Sequence, residues 1–376
     1  MTDVPLLKIM TIVGTRPEII RLSATIKRLD AHTNHVLVHT GQNYDYELNE
    51  VFFADLGLRR PDHFLQADTR SLGAVLGSIL VKTEAILLEE KPDAVLVLGD
   101  TNSCISALMA KRLKIPVFHM EAGNRCFDEN VPEETNRRLV DHIADYNLVY
   151  TEHARRNLLA EGLHPSRILL TGSPMREVLA GNAAQIAESD VLTRLGLTAG
   201  RYFVVSLHRE ETVDDAVRLS SVLQALTQLA AEHRMPVLVS THPRTRDRLP
   251  GHTTDALTLH PPFGFNDYVK LQQSARLVLS DSGTISEESL ILGFPAVTLR
   301  DAIERPEALD AGGMLTLGVT PAAILDGVRL ALAAFDADGP ATPPWEYDVT
   351  DTSRRVLAFL RSTAHSHHAR SGIRRP

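Results

Sequence analysis

Residues 6–18 read LLKIMTIVGTRPE. The run Leu6–Val13 is apolar but for Lys8 and Thr11, as a strand buried on both faces should be. Gly14 permits a tight turn, and Pro17 suits the first helical position of the amphipathic stretch Pro17–Leu29. The same phrase recurs downstream. Further apolar runs lie at His35–His39, Ala94–Leu98, Pro116–Met120, Tyr146–Tyr150 and Ile168–Leu170, with helical patterns at Leu72–Glu89 and Asn102–Leu113. That rhythm predicts a parallel sheet with helices on both faces.

The rhythm pauses near Thr171–Glu188 and restarts. Apolar runs at Tyr202–Leu207, Pro236–Ser240, Leu257–His260, Leu277–Leu279 and Ala296–Leu299 alternate with helical patterns at Asp214–His233, Phe265–Ala275 and Ile285–Leu292, and Pro321–Phe335 follows the last run. The fold class is therefore α/β, with two Rossmann-like doubly wound domains over residues 1–175 and 176–351. A last helix, 352–362, has no strand after it and is expected to pack back on the first domain. Residues 363–376, with three histidines and three arginines among small polar residues, read as a disordered tail.

With 376 residues the chain is too long for one ordinary core, which also favours two domains. Its net charge is 39 − 47 = −8, which argues against nucleic acid or an anionic membrane as a general partner. The two cysteines, Cys104 and Cys126, form no CxxC pair, so a disulfide framework or zinc site is not expected. The N-terminus lacks a secretory pattern and no stretch of 18 apolar residues occurs, so the chain reads as cytoplasmic.

In doubly wound sheets, ligands bind past the carboxyl ends of the strands. The first run ends in Gly14-Thr15-Arg16-Pro17-Glu18. A helix N-terminus beside Arg16 can bind phosphate, and Glu18 there suits the helix dipole. No strand end carries GxGxxG, which weakens a dinucleotide reading. Asp100, in Gly99-Asp100-Thr101-Asn102, either caps the next helix or faces the ligand. Glu121, in His119-Met120-Glu121-Ala122-Gly123-Asn124-Arg125, has no helix of its own to cap. Two acids at neighbouring strand tips would share a crevice, an arrangement that prepares a carboxylate for proton transfer. Pro132-Glu133-Glu134-Thr135-Asn136-Arg137-Arg138 reads as a helix start. Glu134–Arg138 there reads as a surface ion pair, and Glu133 with Arg137 either does the same or faces the ligand.

In the second half, His208-Arg209 and His242-Pro243-Arg244 follow strands, and two such clusters suit a diphosphate. Asp281-Ser282-Gly283-Thr284 opens a helix whose free amides point to an anion. Thr284 and Glu287 fit a capping box, while Glu288 suits a ribose diol. Arg305 adds charge after the last strand.

GTRPE, GDTNS, HMEAGNR, PEETNRR, LHREE, DSGTISEE and ERPE occur here in one order. This string resembles that of the non-hydrolysing UDP-N-acetylglucosamine 2-epimerases over residues 8–360, and the whole string is far more specific than any one piece. The resemblance implies a glycosyltransferase-B-like fold with a cleft between its domains, a UDP-linked 2-acetamido sugar as ligand, no NAD or other cofactor, no obligatory metal, and a homodimer. It also implies Asp100, Glu121 and Glu133 as catalytic acids or bases, with His208 beside them. Arg16, Arg137, His242, Ser282, Gly283, Glu288 and Arg305 would hold the nucleotide and diphosphate. Arg21, also implied as a substrate-holding residue, stands where the family has a lysine, and Gly283-Thr284 where it has two glycines. Thr40–Tyr46 replaces a histidine-containing stretch that in regulated bacterial members helps hold an activating UDP-sugar. GQNYDYELNE and AGNRCFDENVPEETNRR look closer to the branch acting in UDP-N-acetyl-L-fucosamine synthesis, whose substrate is a UDP-6-deoxy-talose-type 2-acetamido sugar. A glycosyltransferase, a hydrolysing epimerase and an inactive sugar-nucleotide-binding protein remain as alternatives.

Overall fold

The computed structural model describes residues 6–41, 52–207, 213–241, 257–300 and 303–374. His208, His242 and most of Thr40–Tyr46 fall outside these ranges. The chain divides into two compact units: one runs to Gly181 and resumes at Asp348, and the other is Asn182–Tyr347. Both are parallel α/β sheets.

The first sheet contains β1 (Lys8–Val13), β2 (Asn34–His39), β3 (His63–Phe64), β4 (Ala94–Leu98), β5 (Val117–Met120), β6 (Tyr146–Val149) and β7 (Ile168–Leu170). Their spatial order is β3-β2-β1-β4-β5-β6-β7. The second contains β8 (Phe203–Leu207), β9 (Val237–Thr241), β10 (Leu257–His260), β11 (Leu277–Ser280), β12 (Ala296–Thr298) and β13 (Leu315–Thr316), in the order β10-β9-β8-β11-β12-β13. Both are doubly wound with Rossmann-type order, so their switch points lie between β1 and β4 and between β8 and β11. The two-residue edge strands β3 and β13 are too short to show periodicity in the sequence.

The central strands are buried on both faces. Ile9, Met10, Ile12 and Val13 are almost wholly excluded from solvent, as are Val95, Leu96 and Val97 beside them. Helix α1 (Arg16–His32) buries Ile19, Leu22, Ile26 and Leu29, a three-and-four spacing that places them on one face. The region read as a helix over Asn102–Leu113 is a 3₁₀ turn, Asn102–Ser106, leading into Ala107–Arg112. Serine chemistry explains the break: the Ser106 hydroxyl donates to the Ser103 carbonyl at 2.6 Å, and Ser103 donates to Glu18 at 2.7 Å. The pause in the pattern holds two short helices, Met175–Gly181 and Ala183–Glu188.

The last long helix, Thr352–Thr363, packs on α1. The Arg28 Nε donates to Ser353 Oγ at 2.7 Å, and the Ser353 amide donates to Glu177 at 2.8 Å. The tail departs from the disordered segment expected for 363–376. A further turn of helix, His367–Arg370, follows, and His367 is buried against the ring of Tyr146 with centroids 5.6 Å apart. Tyr146, Phe118 and Phe359 form the aromatic shelf that receives it. Among the described residues, no helix is long and apolar enough to cross a membrane.

The returning chain crosses Gly172 closely. Gly172 has φ +80°, and a Cβ there would lie 2.5 Å from Val349 Cγ2. Gly172→Ala is predicted to destabilise the first unit by about 1–3 kcal/mol through overpacking and left-handed strain. Urea denaturation measures this, and an unchanged midpoint would contradict the close approach.

Candidate active site

The first unit's switch point is built around Glu18. This residue sits in the first turn of α1 but is buried, and its carboxylate reaches back across the strand tips. It accepts from the Gly14 amide at 2.7 Å, the Thr15 hydroxyl at 2.9 Å, the Ser103 hydroxyl at 2.7 Å and the Thr101 hydroxyl. Glu18 therefore ties the loop after β1 to the loop after β4, and the dipole role read from sequence misses this. Burial pushes its carboxyl up to about 7, against the lowering effect of these four donors. Arg16, the first residue of α1, places its guanidinium over the Phe52 ring, 5.5 Å from the centroid.

Asp100 follows β4 by two residues and Glu121 follows β5 by one, and these strands are paired through Leu98 and Met120. A Cβ built on Gly99 would lie 3.9 Å from Glu121 Oε2, so the two tips adjoin. Asp100 does not cap the next helix, whose N-terminal residue Thr101 has no side-chain cap bond. Instead, Asp100 Oδ2 accepts two bonds from Arg137, from Nε at 3.0 Å and Nη2 at 2.7 Å. The Asn136 side-chain Nδ2 donates to the Asp100 carbonyl at 2.9 Å. Glu121 forms a short ion pair with the buried Arg21. Its backbone is left-handed, φ +63°, which is uncommon outside glycine and marks a held conformation.

Arg137 comes from the helix Pro132–Ile143, whose buried residues are Glu134, Arg137, Val140 and Asp141. Three charges on the inward face are the opposite of an ordinary amphipathic pattern. Arg137 Nη1 donates to Glu134 at 2.8 Å, while Arg138 donates to the other oxygen of Glu134 at 3.0 and 3.1 Å. Glu134–Arg138 is thus an ion pair with a buried carboxylate, not the solvated pair read from sequence. Burial alone would raise the Glu134 carboxyl; the Cys126 amide and Arg137 outweigh it and hold the carboxyl below its ordinary value. Glu133 does not pair with Arg137, which turns toward Asp100 and Glu134. Glu133 stands half-buried at the helix start.

In the second unit, the turn after β11 folds on itself. The Ser282 amide donates to Ser280 Oγ at 3.0 Å, and the Ser282 and Thr284 hydroxyls lie 3.0 Å apart. Gly283 sits at the turn's half-exposed crest, before the helix Ile285–Leu292. The expected capping box is absent: Thr284 makes no side-chain cap bond, and Glu287 forms a buried ion pair with Arg305. A partner 18 residues away cannot be inferred from local spacing. Glu288 is buried and accepts from Gln272 Nε2 at 2.7 Å. Among the described residues, no group of three or more His, Cys, Asp or Glu is placed to hold a metal ion.

A family model described as UDP-N-acetylglucosamine 2-epimerase matches residues 27–361. The solved UDP-N-acetylglucosamine 2-epimerase of Rickettsia bellii is 45% identical, covering 96% of this chain and 98% of its own, with a TM-score of 0.90. The Methanocaldococcus jannaschii UDP-GlcNAc 2-epimerase, solved with UDP-GlcNAc and UDP, is 33% identical over 95% of this chain and 100% of its own, with a TM-score of 0.88. A UDP-2,3-diacetamido-2,3-dideoxy-D-glucuronate 2-epimerase of Pseudomonas aeruginosa is 35% identical, covering 94% of this chain and 99% of its own.

Glu18 gives the site a pH signature. Its carboxyl lies at about 7 in the fold against 4.5 as a free group, so the folded state binds the proton more tightly. The associated stability is complete below about pH 4.5 and is lost as pH rises through about 7, roughly 3 kcal/mol in all. Glu18→Gln keeps the shape without the charge. Its stability relative to wild type is predicted to rise across that window, read by denaturation at several pH values. Parallel curves for the two proteins would contradict it.

Proposed function

We propose a function from one premise: this chain belongs to the UDP-N-acetylglucosamine 2-epimerase family, and it is an isomerase of the non-hydrolysing type. The proposed reaction inverts C2 of a UDP-linked 2-acetamido sugar. The observation that carries it is the pair of carboxylates, Asp100 and Glu121, on adjoining strand tips, each held by an arginine.

The chemistry requires such a pair. The C2 proton is not beside a ketone or aldehyde, so abstraction alone would leave an unsupported carbanion. Loss of UDP from C1 as the C2–H bond breaks gives a 2-acetamidoglycal. The bonding electrons of C2–H become the C1–C2 double bond, and those of C1–O leave with UDP. Protonation at C2 from the other face and return of UDP to C1 complete the inversion. A base and an acid on opposite faces are needed, and Asp100, Glu121 and Glu133 are the candidates. Arg21 and Arg137 hold Glu121 and Asp100 in place. Positioned proton transfer supplies about 10²–10⁴-fold, so stabilising the departing diphosphate carries a large further share. That task falls to Arg16, His208, His242, Ser282, Gly283 and Arg305 in this reading, with Glu288 on the ribose.

The sugar is UDP-GlcNAc or the UDP-6-deoxy-L-talosamine-type sugar leading to UDP-N-acetyl-L-fucosamine. The reading places the enzyme in the cytoplasm. It also makes the enzyme a homodimer, and the exposed Val81 and Leu88, two turns apart on one side of helix Leu72–Glu90, offer an apolar strip for a second copy.

Proton NMR in D₂O tests the reading with either sugar. The wild type is predicted to exchange the C2 proton for deuterium and form the C2 epimer. Starting from the epimer whose C2 proton faces Glu121, Glu121→Gln is predicted to slow exchange by at least about 10²-fold. Steady accumulation of UDP and free sugar would instead indicate hydrolysis, and near-normal exchange in Glu121→Gln would remove that residue from the mechanism.

A further inference from the structure

Within the apolar strand β5, His119 is wholly buried, and each ring nitrogen meets an oxygen. Nδ1 lies 2.9 Å from Asp141 Oδ1, and Nε2 lies 2.8 Å from the Gly99 carbonyl. A carbonyl only accepts, so Nε2 carries a proton and donates it to Gly99. Asp141 also accepts from the Gly123 amide at 3.1 and 3.2 Å and from Arg125 Nη1 at 2.7 Å. Arg125 in turn donates to the Asn124 carbonyl at 2.6 Å and to both oxygens of Glu161 at 2.7 Å.

The ends of this brace grip the main chain beside the two acids. Gly99, with φ +69°, immediately precedes Asp100, and its carbonyl belongs to the peptide that aims Asp100. Gly123 lies two residues beyond the left-handed Glu121, and a Cβ on Gly123 would come within 2.3 Å of the Ala154 carbonyl oxygen. The two loops therefore meet at one buried ring and one buried carboxylate. A residue held in a sparsely populated backbone region persists only when its surroundings fix it.

We propose that His119, anchored by Asp141, is a positioning residue that fixes the Gly99–Asp100 peptide relative to Glu121. This rests on the reading of Asp100 and Glu121 as proton-transfer groups on opposite faces of C2. Under it, releasing the Gly99 carbonyl misplaces Asp100 and leaves Glu121 in place. Proton transfer on one face then falters while the other face continues. Starting from the epimer whose C2 proton faces Glu121, deuterium enters with retention more often than inversion completes.

Two substitutions separate the bonds. His119→Asn keeps a donor near the Nδ1 position and loses the one at Nε2. His119→Gln keeps a donor near Nε2 and loses the one at Nδ1. For His119→Asn we expect inversion to slow by about 10²-fold, the cost of a misplacement near 1 Å. The ratio of C2 exchange to inversion should rise about tenfold from one epimer, with KM changed little. His119→Gln should lie closer to wild type in both respects. Purely structural damage would lower both rates together and leave that ratio unmoved. Identical kinetics in the two variants, an unmoved ratio in His119→Asn, or loss of the fold in both would overturn the proposal. The wild type run alongside distinguishes the failures. Absence of exchange there overturns the functional reading and the positioning role with it, whereas normal wild-type turnover with matching variants overturns the positioning role alone.

Discussion

Two guanidinium–carboxylate pairs, Arg137 with Asp100 and Arg21 with Glu121, are the constraint around which the first unit is arranged. Both arginine side chains are buried. A charge taken out of water is tolerable only with an opposite charge and satisfied hydrogen bonds. That requirement spreads outward. Arg137 also needs Glu134, and Glu134 takes the Cys126 amide and Arg138 as well. The charged face of Pro132–Ile143 must then turn inward, against the ordinary logic of an amphipathic helix. At the strand tips the network ends in Asp100 and Glu121, both half-buried.

The fold was largely legible because its strands are apolar runs of ordinary length. Ile9–Val13 and Ala94–Leu98 could hardly be anything else once helical patterns were seen between them. The edge strands His63–Phe64 and Leu315–Thr316 are too short to leave a pattern. The tail was misread because composition alone cannot show that the Tyr146–Phe359 shelf receives His367. At the site, Glu121 stood out because an acid directly after a buried strand, with no helix of its own to cap, has few structural duties; Asp100, which could equally have capped the next helix, gained weight only from lying beside it. Glu18 did not stand out, since an acid in a first helical turn ordinarily serves the dipole. Arg305 with Glu287 is a tertiary pair, invisible to local spacing. His119 and Asp141 carry a weaker signal: one is a polar residue inside an apolar strand, and the other lies four residues past Arg137 on the same helix face.

The two switch points share a strand order and differ in chemistry. In the first, side-chain charge dominates, held by Glu18 and the arginine pairs. In the second, the turn Asp281–Thr284 is small, half-exposed over Ser282–Thr284 and internally bonded, a shape that lets backbone amides approach an anion. Under the proposed reaction, proton transfer belongs with the first kind of site and the leaving diphosphate with the second.

The central claim is that C2–H cleavage and loss of UDP are one process. It is tested with a UDP-2-acetamido sugar carrying ¹⁸O in the oxygen between C1 and the β-phosphorus, turned over in D₂O and followed by ³¹P and proton NMR. Elimination frees that oxygen to become equivalent to its neighbours on the β-phosphate. The account predicts that the label scrambles from the bridge on the timescale of C2 deuteration. Complete epimerisation and deuteration with the label still in the bridge would contradict it.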